Sequence, residues 1–272
     1  PRASAQTTFM VNRAASKEPF VLPTLEVRCD YLARDRRIPL PIRTTTIQLP
    51  PPDALGQQDQ EFNGVLVLDG ASCLKVPHAA FALPQGPMTL ECWARGDDLK
   101  GRRALVTKTE TSDYGLFCSD GTVDFSVLLG DQYASATSSA PVLTAGKWHH
   151  VAGVYDGEEV RVYVDGAVVA RAPGVGARRT NKHPLYVGAD PDQKGQPTSH
   201  FHGAIDDVRL SNVARYVGDT FAPPERHQPD EETVLLIPCD RDFGPWSIDR
   251  SRSKAHPRRL GSAYCTLENR AK

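Results

Sequence analysis

The stretch Lys147–Ala170, with the sequence KWHHVAGVYDGEEVRVYVDGAVVA, decides the fold of this chain. It contains three apolar runs that are separated by the turn sequences DGEE and DG, and these runs cover residues 148–155, 160–164 and 168–170. Asp-Gly between β-branched residues favours a tight hairpin, because both residues tolerate the positive φ angles that such turns require. The stretch therefore predicts three consecutive antiparallel strands.

Side chains within these runs alternate in character, as expected for strands that bury one face. In VRVYV at 160–164 the valines share one face, whereas Arg161 and Tyr163 lie on the other. The same alternation in MTLECWAR at 88–95 places Met88, Leu90 and Cys92 on one face and Glu91 and Trp93 on the other, and it recurs in further short runs along the chain. Because about a dozen such runs follow one another without a convincing helical pattern, the sequence predicts an all-β sandwich or jelly roll.

The stretch resembles the Trp-x-His-Val strand, Tyr-Asp-Gly turn and Tyr-Val-Asp-Gly strand end of laminin-G-like and pentraxin-like jelly-roll domains of the concanavalin A-like lectin/glucanase superfamily. Three further segments fit that family in the expected order: FNGVLVLDGASCLKVP (62–77), MTLECWAR (88–95) and HFHGAIDDVRLSNVARY (200–216). The resemblance implies an antiparallel jelly-roll sandwich of two sheets, with terminal extensions outside the matched part. It says much less about function, because one fold hosts many activities.

The chain divides by composition and by this resemblance into four parts. They are a flexible N-terminal arm (1–20), accessory edge strands with a Pro-rich connector (21–61), the jelly-roll core (62–217) and a C-terminal extension (218–272). We expect the run at 233–238 to pair into the same sandwich, partnered by the 21–49 segment. The alternative is a truncated second module, although so short a piece could not bury a core of its own.

Charge and hydropathy exclude two classes of partner. The 272 residues include 32 Lys and Arg against 33 Asp and Glu, which gives no electrostatic basis for binding nucleic acid or an anionic membrane. No apolar run approaches the roughly 20 residues that a membrane-spanning helix needs.

The six cysteines contain no Cys-x-x-Cys pair that would indicate zinc or redox chemistry. An exported protein could join them in up to three disulfides, whereas Cys92 and Cys118 fit equally well as buried thiols. Ala3-Ser4-Ala5 resembles a signal-peptidase site, although the apolar region that should precede it is absent. Together with the lectin-like resemblance, this predicts an exported protein (extracellular, cell-surface or periplasmic) whose signal peptide is already removed.

A calcium site is the strongest chemical hypothesis, because calcium takes several oxygen ligands and acidic loops supply them. In pentraxin-like relatives the ion lies between two loops, which correspond here to KTETSDY (108–114) and GADPDQ (188–193). The acidic candidates in these loops are Asp113, Glu110, Asp190 and Asp192. The family's Asp-Asn and Glu-Gln-Asp patterns are not reproduced, so solvated loop acids are the alternative.

Related folds also hold a calcium between the first core strand and the Ile-Asp-x-Val-Arg strand. That resemblance implies a second ion near Asp69 and Asp207. The alternative is that Asp206 and Asp207 pair only with Arg209 or with neighbouring backbone.

The histidines argue less well for zinc. His149 and His150 are adjacent on a strand and point to opposite faces, so they cannot share one ion. His200 and His202 could do so, but the spacing suggests no third ligand. A structural role for the histidine of the Trp-x-His strand is the expected outcome.

Sugars bind against exposed aromatic faces ringed by hydrogen-bonding groups, and the aromatic candidates are Tyr163, Tyr133, Tyr114, Tyr186 and Trp246. We select Tyr163, its neighbour Arg161 and Tyr114 as ligand-binding residues. The alternative is that these aromatics pack inside the sandwich.

Catalysis is not expected from this sequence. Glucanases of this fold place Glu-x-Asp-x-x-Glu on one strand, and no such run occurs here. We therefore predict a non-catalytic, exported module that binds a glycan or a glycosylated surface, with calcium as a candidate cofactor. The alternative is a structural subunit of a larger assembly, in which the jelly roll is a scaffold and the terminal extensions dock onto partner proteins.

Overall fold

The structure, a computed structural model, describes residues 64–110, 113–240 and 245–268 in full. From the N-terminal part it describes the backbones of four short strands, β1 (Thr24–Val27), β2 (Asp30–Ala33), β3 (Arg36–Pro39) and β4 (Arg43–Thr46). The predicted flexible arm at 1–20 lies outside the described residues.

The regular elements of the fully described residues are strands, apart from one short 3₁₀ turn at His78–Ala80. In chain order the strands are β5 (Gly64–Asp69), β6 (Cys73–Val76), β7 (Met88–Gly96), β8 (Arg102–Lys108), β9 (Tyr114–Ser119), β10 (Thr122–Leu129), β11 (Gln132–Thr137), β12 (His149–Tyr155), β13 (Glu159–Val164), β14 (Ala167–Pro173), β15 (Leu185–Val187), β16 (Asp190–Pro191), β17 (Pro197–Thr198), β18 (His202–Ser211), β19 (Thr233–Ile237), β20 (Arg258–Leu260) and β21 (Tyr264–Leu267). No helix among the described residues is long and apolar enough to cross a membrane.

Two antiparallel sheets pack face to face, so the predicted jelly-roll sandwich is confirmed. Sheet I has the order β14-β13-β12-β7-β18-β5-β21, and β19 also pairs with β18. Sheet II has the order β11-β10-β9-β8-β15-β6-β20. Sheet I therefore carries the central strands β7, β12 and β18, and sheet II ends at the edge strand β11.

The stretch that decided the fold forms the predicted three-stranded meander β12-β13-β14. Val151 is paired with Val164 and Gly153 with Val162, and the three valine side chains point into the core. The turn residues Asp165 and Gly166 have φ angles of 51° and 81°, as a tight Asp-Gly hairpin requires.

The core lies between the sheets and is built by alternation. Met88, Leu90 and Cys92 of β7 point into it, while Glu91 and Trp93 point to the outer face of sheet I, as predicted. The thiols of Cys92 and Cys118 are fully buried and form no disulfide. Burial raises the pKa of Cys118 to about 12, so this thiol stays protonated.

The C-terminal extension adds strands to both sheets. β19 pairs with β18, β21 with β5, and β20 with β6 of sheet II. The expected partnership of 233–238 with the 21–49 segment is not what the described strands show, because β1 pairs with β4 and β2 with β3. β19 pairs with β18 instead. The C-terminal half of β18 extends past the residues that pair with β5, so its edge is free to take up β19.

Residues 212–230, here called the strap, connect β18 to β19 and cross the outer face of sheet I. Tyr216 and Phe221 stack at a 3.5 Å centroid distance and pack on Tyr163 of β13. The strap also makes backbone hydrogen bonds with the meander, from Val168 to Asp219 and from Phe221 to Gly166. This face of the sandwich is therefore covered by the chain itself.

Gly153 of β12 lies directly against a side chain of the opposite sheet. A Cβ atom at this position would lie 2.2 Å from the ring of Phe125 in sheet II. We expect Gly153→Ala to destabilise the protein by about 1–3 kcal/mol, because a packed ring in the core has little room to move. Denaturant unfolding measures the change.

A double-mutant cycle with Phe125→Leu isolates this contact. The cost of Gly153→Ala should fall when the ring is absent, which gives a coupling energy between the two sites. An equal cost in both backgrounds would contradict the predicted clash.

Candidate functional site

The outer face of sheet II carries an open groove with a volume of about 650 Å³. Four neighbouring strands supply its floor, and the side chains alternate with those that enter the core. The lining residues are Arg102, Thr109, Glu110, Phe117, Ser119, Thr122, Asp124, Ser126, Tyr133, Ser135 and Thr137. Unlike the outer face of sheet I, the groove is open to solvent.

An aromatic ring and a guanidinium group form one part of the groove. The guanidinium carbon of Arg102 lies 3.7 Å from the ring centroid of Phe117, within range of a cation–π contact. One of its terminal nitrogens lies 3.8 Å from Asp124. Arg102 thereby covers the ring of Phe117. The groove therefore presents the guanidinium group of Arg102, fixed by these two contacts, and the phenyl face is not exposed.

A row of hydroxyl groups crosses the adjacent strands. The Ser126 hydroxyl donates to Asp124 Oδ2 at 2.9 Å and lies 2.7 Å from the Ser135 hydroxyl on β11. Burial raises the pKa of the Asp124 carboxyl, against the lowering effect of Ser126 and Arg102. Each hydroxyl both donates and accepts, which suits ligands that carry hydroxyl groups themselves.

Tyr133 lies on the edge strand β11 and is 41% exposed, which makes it one of the large exposed apolar side chains of the described residues. It is paired with Leu128 of β10, and because directly opposite residues share a face, both side chains lie on the outer face of sheet II, away from the core residues Val127 and Leu129. An aromatic ring at a rim, beside a row of hydroxyls, combines an apolar face with hydrogen-bonding groups.

The first predicted calcium loop is held together by protein cations. The Lys108 ammonium group donates to Asp113 Oδ2 at 2.5 Å and to both oxygens of Asn181, at 2.9 Å for the carbonyl and 2.8 Å for the side-chain amide. Arg178 lies 3.8 Å from the other carboxylate oxygen. Asp113 is almost fully buried. Its negative charge is already compensated by two cations of the chain.

The second predicted loop lies beside the groove. Asp190 Oδ1 accepts a hydrogen bond from Thr109, a groove residue, and burial raises the pKa of the Asp190 carboxyl. Asp192 Oδ1 accepts from the backbone amides of Lys194 and Gln196, both at 2.8 Å, and so stabilises its own turn. Calcium binding by these residues stays a prediction.

The predicted second ion between Asp69 and Asp207 is wrong on geometric grounds. Asp69 is paired with His202, and Asp207 lies five residues further along the same strand. At about 3.3 Å per residue the two positions are roughly 16 Å apart, whereas calcium ligands lie about 2.3–2.6 Å from the ion. Asp69 instead accepts hydrogen bonds from Ala71 and Ser262.

The three predicted ligand-binding residues are all buried, so this prediction is wrong. Tyr163 lies under the strap and donates to the carbonyl of Gly218 at 2.7 Å. Arg161 pairs with Asp156 and Glu159, and Tyr114 is part of the core between the sheets. Alternation assigns side chains to faces correctly, but it does not reveal which face another segment covers.

A buried ionic cluster joins the strap to sheet I. Glu91 of β7 has no solvent exposure, and its carboxylate contacts four other side chains. Its Oε1 accepts from Arg209 at 2.8 Å, while its Oε2 accepts from Tyr216 at 2.6 Å. The Nε2 atoms of His150 and His227 lie 3.2 and 2.9 Å from the same Oε2.

The charge state of Glu91 follows from this environment. Burial raises the pKa of the carboxyl, but the approach of His150 and the charges of His227 and Arg209 outweigh it and lower the pKa from 4.5 to about 2. Asp207 Oδ2 in turn accepts from the backbone and Nδ1 of His227, at 2.7 and 2.9 Å. The carboxylate of Glu91 is therefore ionised at neutral pH.

Sequence analysis placed Glu91 on the correct face but gave it no role. A charged residue inside an apolar strand, diagonally across from His150 of the neighbouring strand, is the available signal. His227 had none, because it lies in the irregular strap after Pro223-Pro224.

Comparison with known families gives one match. The family model Laminin_G_3, described as Concanavalin A-like lectin/glucanases superfamily, matches residues 68–218, more than half of the chain. No curated protein shows a significant match to the sequence.

Several solved structures are similar. A "putative carbohydrate binding protein" from Bacteroides ovatus is 17% identical with a TM-score of 0.57, and the match covers 83% of this chain and 67% of that one. Domains LG4-5 of the mouse laminin alpha1 chain are 19% identical (TM-score 0.46, covering 71% and 52%). The CBM40 of the Ruminococcus gnavus IT-sialidase is 14% identical (0.45, 57% and 92%). At 17% identity, the first similarity supports the fold alone.

We expect Glu91→Gln to destabilise the protein by about 3–5 kcal/mol, because it leaves buried cations without their counter-charge. A carboxyl with a lowered folded-state pKa stabilises the protein fully above pH 4.5, and this stability is lost as the pH falls toward 2. Chemical unfolding of the wild type and the variant between pH 7 and pH 2 measures both effects. The variant should lack this part of the pH dependence.

Glu159→Gln is the matched control, because Glu159 pairs with Arg161 and Arg171 at a partly exposed position. It should cost about 1 kcal/mol or less. Equal effects of the two substitutions would contradict a central role for Glu91.

Proposed function

The chain belongs to the concanavalin A-like lectin/glucanases superfamily, and we propose on that premise that it is a non-catalytic binding module that recognises a glycan through the groove of sheet II. The observation that carries the proposal is the composition of this groove. A row of hydroxyls, a held guanidinium and the partly exposed ring of Tyr133 line an open groove with a volume of about 650 Å³.

Glycans match these groups chemically. A sugar ring offers hydroxyls that donate and accept, which the hydroxyls of Ser126 and Ser135 can pair with. It also offers apolar C–H faces, which pack well on an aromatic ring such as Tyr133. Arg102, kept in place by Phe117 and Asp124, supplies a directional donor. The Bacteroides ovatus structure of the same fold is described as a putative carbohydrate binding protein, which agrees with this proposal.

The groove acids support binding and not hydrolysis. Asp124 accepts from Ser126 and lies near Arg102, so its carboxylate has structural partners. The sequence contains no run of alternating acids on one strand of the kind that glucanases of this fold use.

The alternative function, a structural subunit whose extensions dock onto partners, is less well supported. In the described part of the chain, the C-terminal extension pairs with strands of its own two sheets and covers its own sheet I. These surfaces are then engaged within the chain.

Two finer points belong to the proposal. Export to the extracellular space, cell surface or periplasm rests on the family resemblance. Calcium in the Asp190–Asp192 loop rests on its position beside Thr109 at the groove. A bound ion there would act by orienting the rim of the groove.

The test is binding to a broad glycan panel by the wild type and by two groove variants, Tyr133→Ala and Arg102→Ala. We expect each variant to lose about tenfold in affinity for the glycan that the wild type binds, equivalent to about 1.4 kcal/mol. Arg252→Ala is the matched control, because Arg252 is 74% exposed and pairs with Glu231 in the C-terminal extension. Its affinity should equal that of the wild type.

The result that overturns the proposal is a wild-type protein that binds no glycan on the panel, or one that binds equally well after both groove substitutions. Unchanged melting temperatures of the variants exclude loss of folding as the cause of reduced binding.

The same panel in EDTA tests the calcium component separately. Binding lost in EDTA, restored by calcium and abolished by Asp190→Ala would support it. Binding retained in EDTA would remove calcium and leave the glycan proposal standing.

A further inference from the structure

We propose that Glu91, His150 and His227 bind one divalent transition-metal ion, with zinc as the best candidate. The three side chains offer donor atoms that all lie within 4.8 Å of one another. They come from β7, β12 and the strap, so segments far apart in the sequence converge on one point. This site lies on the opposite sheet from the groove and is independent of the proposed function.

The donor set suits this class of metal. Two imidazole nitrogens with one carboxylate oxygen are ligands that zinc and its neighbours prefer, whereas calcium and magnesium prefer oxygen alone. The two histidine Nε2 atoms lie 2.9 and 3.2 Å from the same Glu91 oxygen. Ligands about 2.0–2.1 Å from a common ion are separated by about 3 Å, so small shifts of the side chains would complete the site.

The two Nε2 atoms lie 2.9 and 3.2 Å from the Glu91 carboxylate, but neither meets the geometry of a well-aligned hydrogen bond with a described residue, although both side chains have no solvent exposure. Poorly aligned hydrogen bonds of buried polar groups contribute little stability. An ion between the two Nε2 atoms and Glu91 would satisfy both of these nitrogens.

Asp207 supports the same conclusion, because it contacts the His227 ring at the nitrogen that does not face Glu91. It accepts from the Nδ1 of His227 at 2.9 Å, which orients the imidazole so that Nε2 faces Glu91. A carboxylate behind a histidine is the arrangement that orients metal-ligating imidazoles and raises their basicity. The carboxylate of Glu91, whose other oxygen accepts from Arg209 at 2.8 Å, supplies the oxygen ligand.

The ion would have a structural role as a cross-link and not a catalytic one. His150 has edge contacts with Trp93 and Phe221, at 5.3 and 5.7 Å between ring centroids, so the site is enclosed by aromatic rings. The ion would connect the strap to β7 and β12 of sheet I. Metal binding would thus be coupled to closure of the strap.

The test is zinc content of the full chain after refolding in zinc and removal of loosely bound metal, measured by inductively coupled plasma mass spectrometry. We expect one zinc per chain in the wild type and a higher melting temperature than that of protein refolded in EDTA. His150→Gln and His227→Gln should each lose the bound zinc. Asp207→Asn should weaken zinc binding by about 10–100-fold, as loss of an orienting carboxylate does.

His149→Gln is the matched control, because His149 adjoins His150 but points to the other face and contacts Asp165. It should keep one zinc. A double variant of the surface pair, His200→Gln with His202→Gln, removes the other candidate histidines and should also keep it.

Zinc that stays bound in His227→Gln, or that is lost only in the surface double variant, would overturn the proposal. If the buried variants do not fold, X-ray absorption of the wild type decides the question. Two imidazole ligands would support the site, and a spectrum without imidazole, or less than one zinc per chain, would overturn it.

Discussion

The buried carboxylate of Glu91 is the constraint on which the architecture depends. An ionised group without solvent contact is tolerated only when several partners compensate it, and here Arg209, Tyr216, His150 and His227 do so. Two of these partners lie in the strap, so the strap has to cross sheet I for the charge to be satisfied. Because the strap closes that face, sheet II presents the open surface of the sandwich.

The fold could be predicted because its determinants are local. Alternation in β7 and in the meander, together with the Asp165-Gly166 turn, assigns faces and hairpins without knowledge of distant contacts. The path of the C-terminal extension could not be predicted from the sequence, because its partners depend on which strand edges the finished sheets leave unpaired. β19 pairs with β18 for that reason, and the four N-terminal strands whose backbones are described pair with one another.

The candidate site was accessible to sequence analysis only in part. Tyr133 was recognised as an available aromatic, but the groove arises from cross-strand register, which places Ser126 beside Ser135 and Asp124 beside Phe117. A shift of one residue would move these side chains into the core, and short polar strands do not specify their register in sequence. Tyr163 failed as a candidate because the strap that buries it has no periodic pattern.

The two faces of the sandwich therefore have separate physical tasks. On sheet I, ionic and aromatic contacts fix the strap, and the proposed metal would add a cross-link where the donors already converge. On sheet II, the hydroxyl row and Arg102 are held by neighbours within the same sheet, so their geometry does not require the strap. Substitutions at the metal site should change stability without changing groove chemistry, and groove substitutions should do the reverse. This separation allows the two proposals to fail independently.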